Sequence, residues 1–159
     1  MKDILVNKIK IKKLRPLRKS FINKNNKITA TGYYKKIKVK VYEVHDKNQG
    51  KLRKLISNYK DLSKYFPKLI SFNDKFIVEE WVDGKTLKEL NLSKSEFKAK
   101  SEEIKKIINI MWSKKVNYNV FDYIGYIHKR VNKKNFHDLS NIPIRINHND
   151  LSLDNIILS

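Results

Sequence analysis

The chain has 159 residues, 40% of them hydrophobic and 11% aromatic, which suits one domain with a sizeable core or two small lobes and excludes a disordered polypeptide. It contains no cysteine, so a disulfide framework and a thiolate metal site are excluded, and no apolar run reaches the length of a membrane span or a signal-peptide core. The formal net charge is +20, which admits nucleic acid or an anionic membrane as a partner, yet only five of the 36 basic residues are arginines.

Readers of nucleic acid lean on arginine forks for bidentate contacts, and here the lysines are spread along the whole chain. A chain also rich in Asn and Ile acquires such lysines through codon bias, so charge alone assigns no function. The lack of cysteine and of a leader segment leads us to expect a cytoplasmic protein.

Residues 4–11 alternate at period two and predict a strand, as do residues 37–44, "IKVKVYEV". Between them "INKNNKITATGYY" predicts a turn-rich stretch followed by another strand. Residues 48–60 predict a helix with Leu52, Leu55 and Ile56 on one face. "KLISFNDKFIVEEW" predicts two strands joined at Asn73-Asp74. Ser93 with Glu96 three residues on forms a capping-box pattern and opens a long helix carrying Phe97, Ile104, Ile108 and Met111. A second helix is expected over 119–131, with Phe121, Ile124, Ile127 and Val131 inward. The chain thus divides into a sheet-rich lobe with one helix, 1–83, and a helical part, 84–159, with "WVDGKTL" at the switch.

The last segment, "HNDLSLDNIIL", places His148, Asp150 and Asn155 between two apolar runs. A carboxylate held on such a loop can accept the proton of an attacking hydroxyl. An amide oxygen five residues on can ligate Mg²⁺. This segment resembles the catalytic loop of protein-kinase-like phosphotransferases, closest to the aminoglycoside phosphotransferase and choline kinase branch, whose loop reads H-G-D-L-x-x-x-N-I-L. Asn149 stands where that pattern has Gly. Upstream, "FIVEEWVDGKTL" resembles the family's hinge between lobes, although the position of Glu79 is more often apolar there.

The resemblance implies an α+β, protein-kinase-like fold with an antiparallel-sheet N-lobe and a partial helical C-lobe. It implies ATP and Mg²⁺ as cofactors and a small-molecule or sugar hydroxyl as acceptor. Asp150 would be the catalytic base, His148 would brace the loop, and Asn155 would ligate the metal. The backbone of Glu80 and Val82 would face the adenine, and Gly84 would allow the turn into the following helix. A lysine on strand 37–44, Lys40 or its same-face neighbour Lys38, would steady the nucleotide phosphates. Two features of the family are missing: helix 48–60 has no Glu to pair with that lysine, and the only glycine before it in the strands is Gly32. In the family a metal-binding Asp turn follows the loop, and none follows Asn155 here. The chain is therefore expected to be a fragment or a shortened relative, inactive alone or a basic binding module. His45, His128 and His137 lack metal-ligand spacing, and Trp81 and Trp112 are expected to be packing residues.

Overall fold

The computed structural model describes residues 3–17, 28–44, 48–114 and 156–158. Contacts divide the chain into Met1–Asn91 with Leu151–Ser159, and Leu92–Asp150. Residues 84–91 fall in the first of these units. The helix expected over 119–131 lies outside the described residues.

The first unit is mixed α/β. Its six-stranded sheet has the order β1-β2-β3-β4-β6-β5 and every pairing is antiparallel. The strands are β1 (Ile4–Val6), β2 (Ile9–Pro16), β3 (Thr29–Tyr34), β4 (Ile37–Glu43), β5 (Leu69–Phe72) and β6 (Phe76–Glu80). Two helices, α1 (Gln49–Asn58) and α2 (Lys60–Ser63), connect β4 to β5.

Residues 4–11, expected as one strand, are instead a hairpin with Ile4 opposite Ile11 and Val6 opposite Ile9. The apolar parity changes between Val6 and Ile9, and Asn7 takes a positive φ of 52° at the turn, a conformation that Asn tolerates better than most residues. Farther along β2 the register shifts between Lys12 and Arg15, where Lys13 has φ 54°. That irregularity lets Ile11 and Leu14, three residues apart, both face the core.

The sheet curls until its two edge strands nearly meet. Asn7 Nδ2 donates to the Phe72 carbonyl across the gap, and Ser71 Oγ lies 3.5 Å from the Val6 carbonyl. Nearly closing the sheet satisfies edge groups that would otherwise invite another strand. Inside it Val6, Ile11, Leu14, Ala30, Val39, Val41, Phe76 and Val78 form one buried cluster. The β5–β6 hairpin turns as expected at Asn73, whose side-chain oxygen accepts from the N–H groups of Lys75 and Phe76.

Within the second unit the described helix is α3 (Lys94–Ser113), opened by the expected capping box: Ser93 accepts from the Glu96 N–H and Glu96 accepts from the Ser93 N–H. Its apolar face is narrower than expected. Met111 is buried and Ile104 and Ile108 are half-buried, but Phe97 in the first turn is 43% exposed. Trp112, expected as a packing residue, is 53% exposed although it follows Ile108 by four residues and so shares its side of the helix.

Gly50 sets how closely α1 approaches the sheet, because a Cβ there would fall inside the root of the Phe72 ring. Alanine would favour the helix by about 1 kcal/mol, but overpacking costs about 1–3 kcal/mol, and the ring's root cannot swing away. Gly50→Ala is therefore expected to cost a net of up to about 2 kcal/mol of stability, read as a lower urea midpoint. A raised midpoint would show that the helix does not rest on Phe72.

Candidate functional site

Neighbouring residues of a strand point to opposite faces, so the burial of Val39, Val41 and Val78 in the core turns Lys38, Lys40, Tyr42, Ile77 and Glu79 to the other face. The ladder sets Lys40 opposite Glu79 and Tyr42 opposite Ile77. The Trp81 N–H donates to the Lys38 carbonyl at 2.9 Å, extending the pairing into the expected hinge. Helix α1 crosses this face: Gly50 rests on Phe72, the partner of Ile77, and one turn later Arg53 reaches Glu79.

Glu79 is the one buried charged residue among those described, at 5% exposure. Arg53 Nε donates to its carboxylate at 2.5 Å, Arg53 Nη2 donates to the Pro67 carbonyl at 3.1 Å, and the guanidinium lies 4.9 Å from the centre of the Phe66 ring. The planar fork of arginine can serve all three partners at once, which an ammonium cannot. One side chain thus fastens α1, the turn before β5 and the strand β6 together. Here the helix supplies the cation and the strand supplies the carboxylate. Burial pushes the Tyr42 phenol well above its usual range, and the Glu79 charge beside it adds to the rise.

The two candidate lysines differ in their surroundings. Lys38 Nζ stands 4.3 Å from the Trp81 ring centre and 3.9 Å from Asp83 Oδ1, and Trp81 Nε1 donates to the same oxygen at 2.9 Å. Lys40 is exposed, with Nζ 5.5 Å from the Tyr42 ring, and among the described residues no carboxylate lies within ion-pair distance of it. Lys40 is therefore the better placed of the two to receive an anion. Trp81, expected simply to pack, carries Lys38 on its ring.

At the expected hinge the Glu80 N–H is taken by the Lys68 carbonyl at 2.9 Å. Among the described residues the Val82 N–H has no partner. Gly84 does not turn into a helix as expected. It has φ 150°, and a Cβ there would lie 2.5 Å from the Leu158 carbonyl. The backbone instead enters β7 (Lys85–Thr86), which pairs with β8 (Ile157–Leu158) as Lys85 opposite Leu158 and Thr86 opposite Ile157. The buried Leu87 prolongs the pairing, its N–H donating to the Ile156 carbonyl at 2.7 Å.

His148, Asp150 and Asn155 lie outside the described residues. Among the described residues no group of three or more His, Asp or Glu side chains could hold a metal ion, and none of the helices is long and apolar enough to cross a membrane. A cavity of about 360 Å³ lined by Arg53, Ser57, Phe66 and Pro67 includes neither candidate lysine nor the hinge. Sequence reasoning missed Arg53 as the partner of Glu79. The signals were a carboxylate inside the apolar run "FIVEE" and a single arginine in a helix whose other basic residues are lysines.

The Tyr42 shift has a definite sign. The unfolded phenol loses its proton near pH 10 while the folded one keeps it, so stability falls as pH rises above about 10. Tyr42→Phe is expected to remove this part of the alkaline loss, read as unfolding midpoints between pH 9 and pH 11 (about the range in which model phenols titrate). Equal losses in the parent and the variant would show that Tyr42 titrates normally.

No protein-family model, curated protein or solved structure matches the chain.

Proposed function

We propose that the chain is an ATP-dependent phosphotransferase of protein-kinase-like fold, nearest the aminoglycoside phosphotransferase and choline kinase branch, acting on a hydroxyl of a small molecule or sugar. The observation that carries this reading is the pairing of β7 with β8. "WVDGKTL" and "HNDLSLDNIIL" are about 60 residues apart, and they resemble two parts of one nucleotide site. The backbone at the end of the first is hydrogen-bonded to the backbone at the end of the second.

Further support comes from the sheet. Lys40 lies on β4, the direct neighbour of β6, and β6 runs into the hinge. Its exposed ammonium has no carboxylate within ion-pair distance among the described residues, and the Val82 N–H has no partner among them that an adenine edge would have to displace. In this reading Lys40 steadies the α- and β-phosphates. Asp150 orients the acceptor hydroxyl and takes its proton as the oxygen attacks the γ-phosphorus and the bond to the ADP oxygen breaks. His148 braces the loop, and Asn155 is the residue that would hold Mg²⁺, which supplies charge neutralisation between the phosphates when bound.

The charge of +20 supports a second reading, a non-catalytic basic module for nucleic acid or anionic lipid. Binding separates the two. Mg-ATP is expected to raise the melting temperature of the parent, and Lys40→Ala to weaken that binding roughly tenfold, the scale of one charge-assisted hydrogen bond. Lys38→Ala should leave it within about twofold, because an exposed lysine held by Asp83 and Trp81 contributes little. In any version that turns over, Asp150→Asn should lower the rate roughly 10²–10⁴-fold while nucleotide binding persists. Salt-dependent duplex binding with no response to Mg-ATP would favour the basic module.

A further inference from the structure

The Arg53–Glu79 pair has a second consequence, which rests on the reading of Lys40 as the phosphate lysine. Glu79 is the residue directly opposite Lys40 in the β4–β6 ladder, and both side chains point to the α1 face. Opposed charges at directly paired strand positions attract each other, and a lysine stem easily spans that distance. An unoccupied Glu79 carboxylate, buried beneath α1, would therefore draw the Lys40 ammonium inward and away from a bound phosphate. The carboxylate is instead held by Arg53, itself fixed on two further sides by Pro67 and Phe66.

We propose that Arg53 is a positioning residue for anion binding: by occupying Glu79 it keeps Lys40 free to meet the nucleotide phosphates. The docking of α1 on the sheet and the availability of Lys40 are then one event, because the helix that supplies Arg53 is the helix Gly50 seats on Phe72. The family's arrangement reaches the same end by another route, with a helix carboxylate orienting the lysine. Here the helix contributes a cation that removes a strand carboxylate from competition.

The test is a set of Mg-ATP affinities measured by calorimetry on the 159-residue chain. Arg53→Met is expected to weaken binding roughly tenfold, the scale of losing one charge-assisted contact. Glu79→Gln alone should leave affinity within about twofold, and adding it to Arg53→Met should restore that variant to about the parent value, since no carboxylate then remains to capture Lys40. A merely structural role for Arg53 predicts that affinity simply follows the melting temperature across the set, whereas capture of Lys40 predicts weaker binding in a variant that is still folded. Because Arg53→Met leaves a buried carboxylate uncompensated and can unfold the chain, Arg53→Lys serves as the folded counterpart. It keeps a counter-charge but loses the fork, and should weaken binding about threefold. Parent-like affinity in Arg53→Lys, or a loss in Arg53→Met that Glu79→Gln does not repair, would overturn the proposal. If Lys40→Ala itself binds Mg-ATP like the parent, the assignment of Lys40 fails first and the role of Arg53 falls with it.

Discussion

The ion pair between Arg53 and Glu79 is the constraint on which the face of the sheet around Lys40 depends. A buried carboxylate is tolerable only when paired and hydrogen-bonded, and Arg53 meets that requirement from a helix that shares no strand with it. Breaking such a pair by removing one partner typically costs about 3–5 kcal/mol, because the remaining charge stays buried. Several features of the sequence follow. Gly50 has no side chain because the helix must come close enough for Arg53 to reach, and Phe66 and Pro67 are placed to hold the guanidinium flat. Tyr42 stays protonated because burial and the Glu79 charge both oppose a phenolate.

The other face of the same sheet is organised by a different force. Its apolar cluster is sealed by curling the sheet until Asn7 on the β1–β2 turn reaches Phe72 on the opposite edge strand. Burial there is non-directional and tolerates a bulge at Lys13, whereas the polar face needs each partner in register. The result is a rigid platform with a dry side that sets strand positions and a polar side where chemistry can be displayed. From Lys40 the backbone links run through the β4–β6 ladder, along the hinge strand, past Gly84 and into the β7–β8 pair. Our proposal of a nucleotide site follows that path.

Much of this was legible in the sequence, and the failures have physical causes. The strand at Ile37–Glu43, the hairpin at Asn73 and the capping box at Ser93 were legible because each rests on local pattern or local hydrogen bonds. The split of residues 4–11 was also written locally, in the parity change between Val6 and Ile9, but alternation on either side of a two-residue turn imitates one strand. Gly84 was recognised as a special position for the wrong reason. Its requirement comes from the approach of Leu158, more than 70 residues later, which no local pattern contains. The pairing of Arg53 with Glu79 was hidden for the same reason, and the resemblance to kinase-like enzymes directed attention to a missing helix carboxylate rather than to a present helix cation. Phe97 and Trp112 show the limit of helical periodicity: phase tells which residues share a stripe, and neighbours decide how much of the stripe is covered. Asp150, His148 and Asn155, the residues with the sharpest motif, were legible only through the resemblance, and they lie outside the described residues.

The most direct test of a phosphate-binding Lys40 uses an adenosine nucleotide carrying a reactive acyl group on its terminal phosphate, which acylates whichever lysine amine stands beside the phosphates. The chain offers lysines along its whole length, so selectivity is itself informative. Peptide mass spectrometry should find Lys40 labelled ahead of the other lysines, including Lys38, with the labelling suppressed by excess Mg-ATP. Acylation scattered over surface lysines and indifferent to Mg-ATP would contradict a nucleotide site on this face.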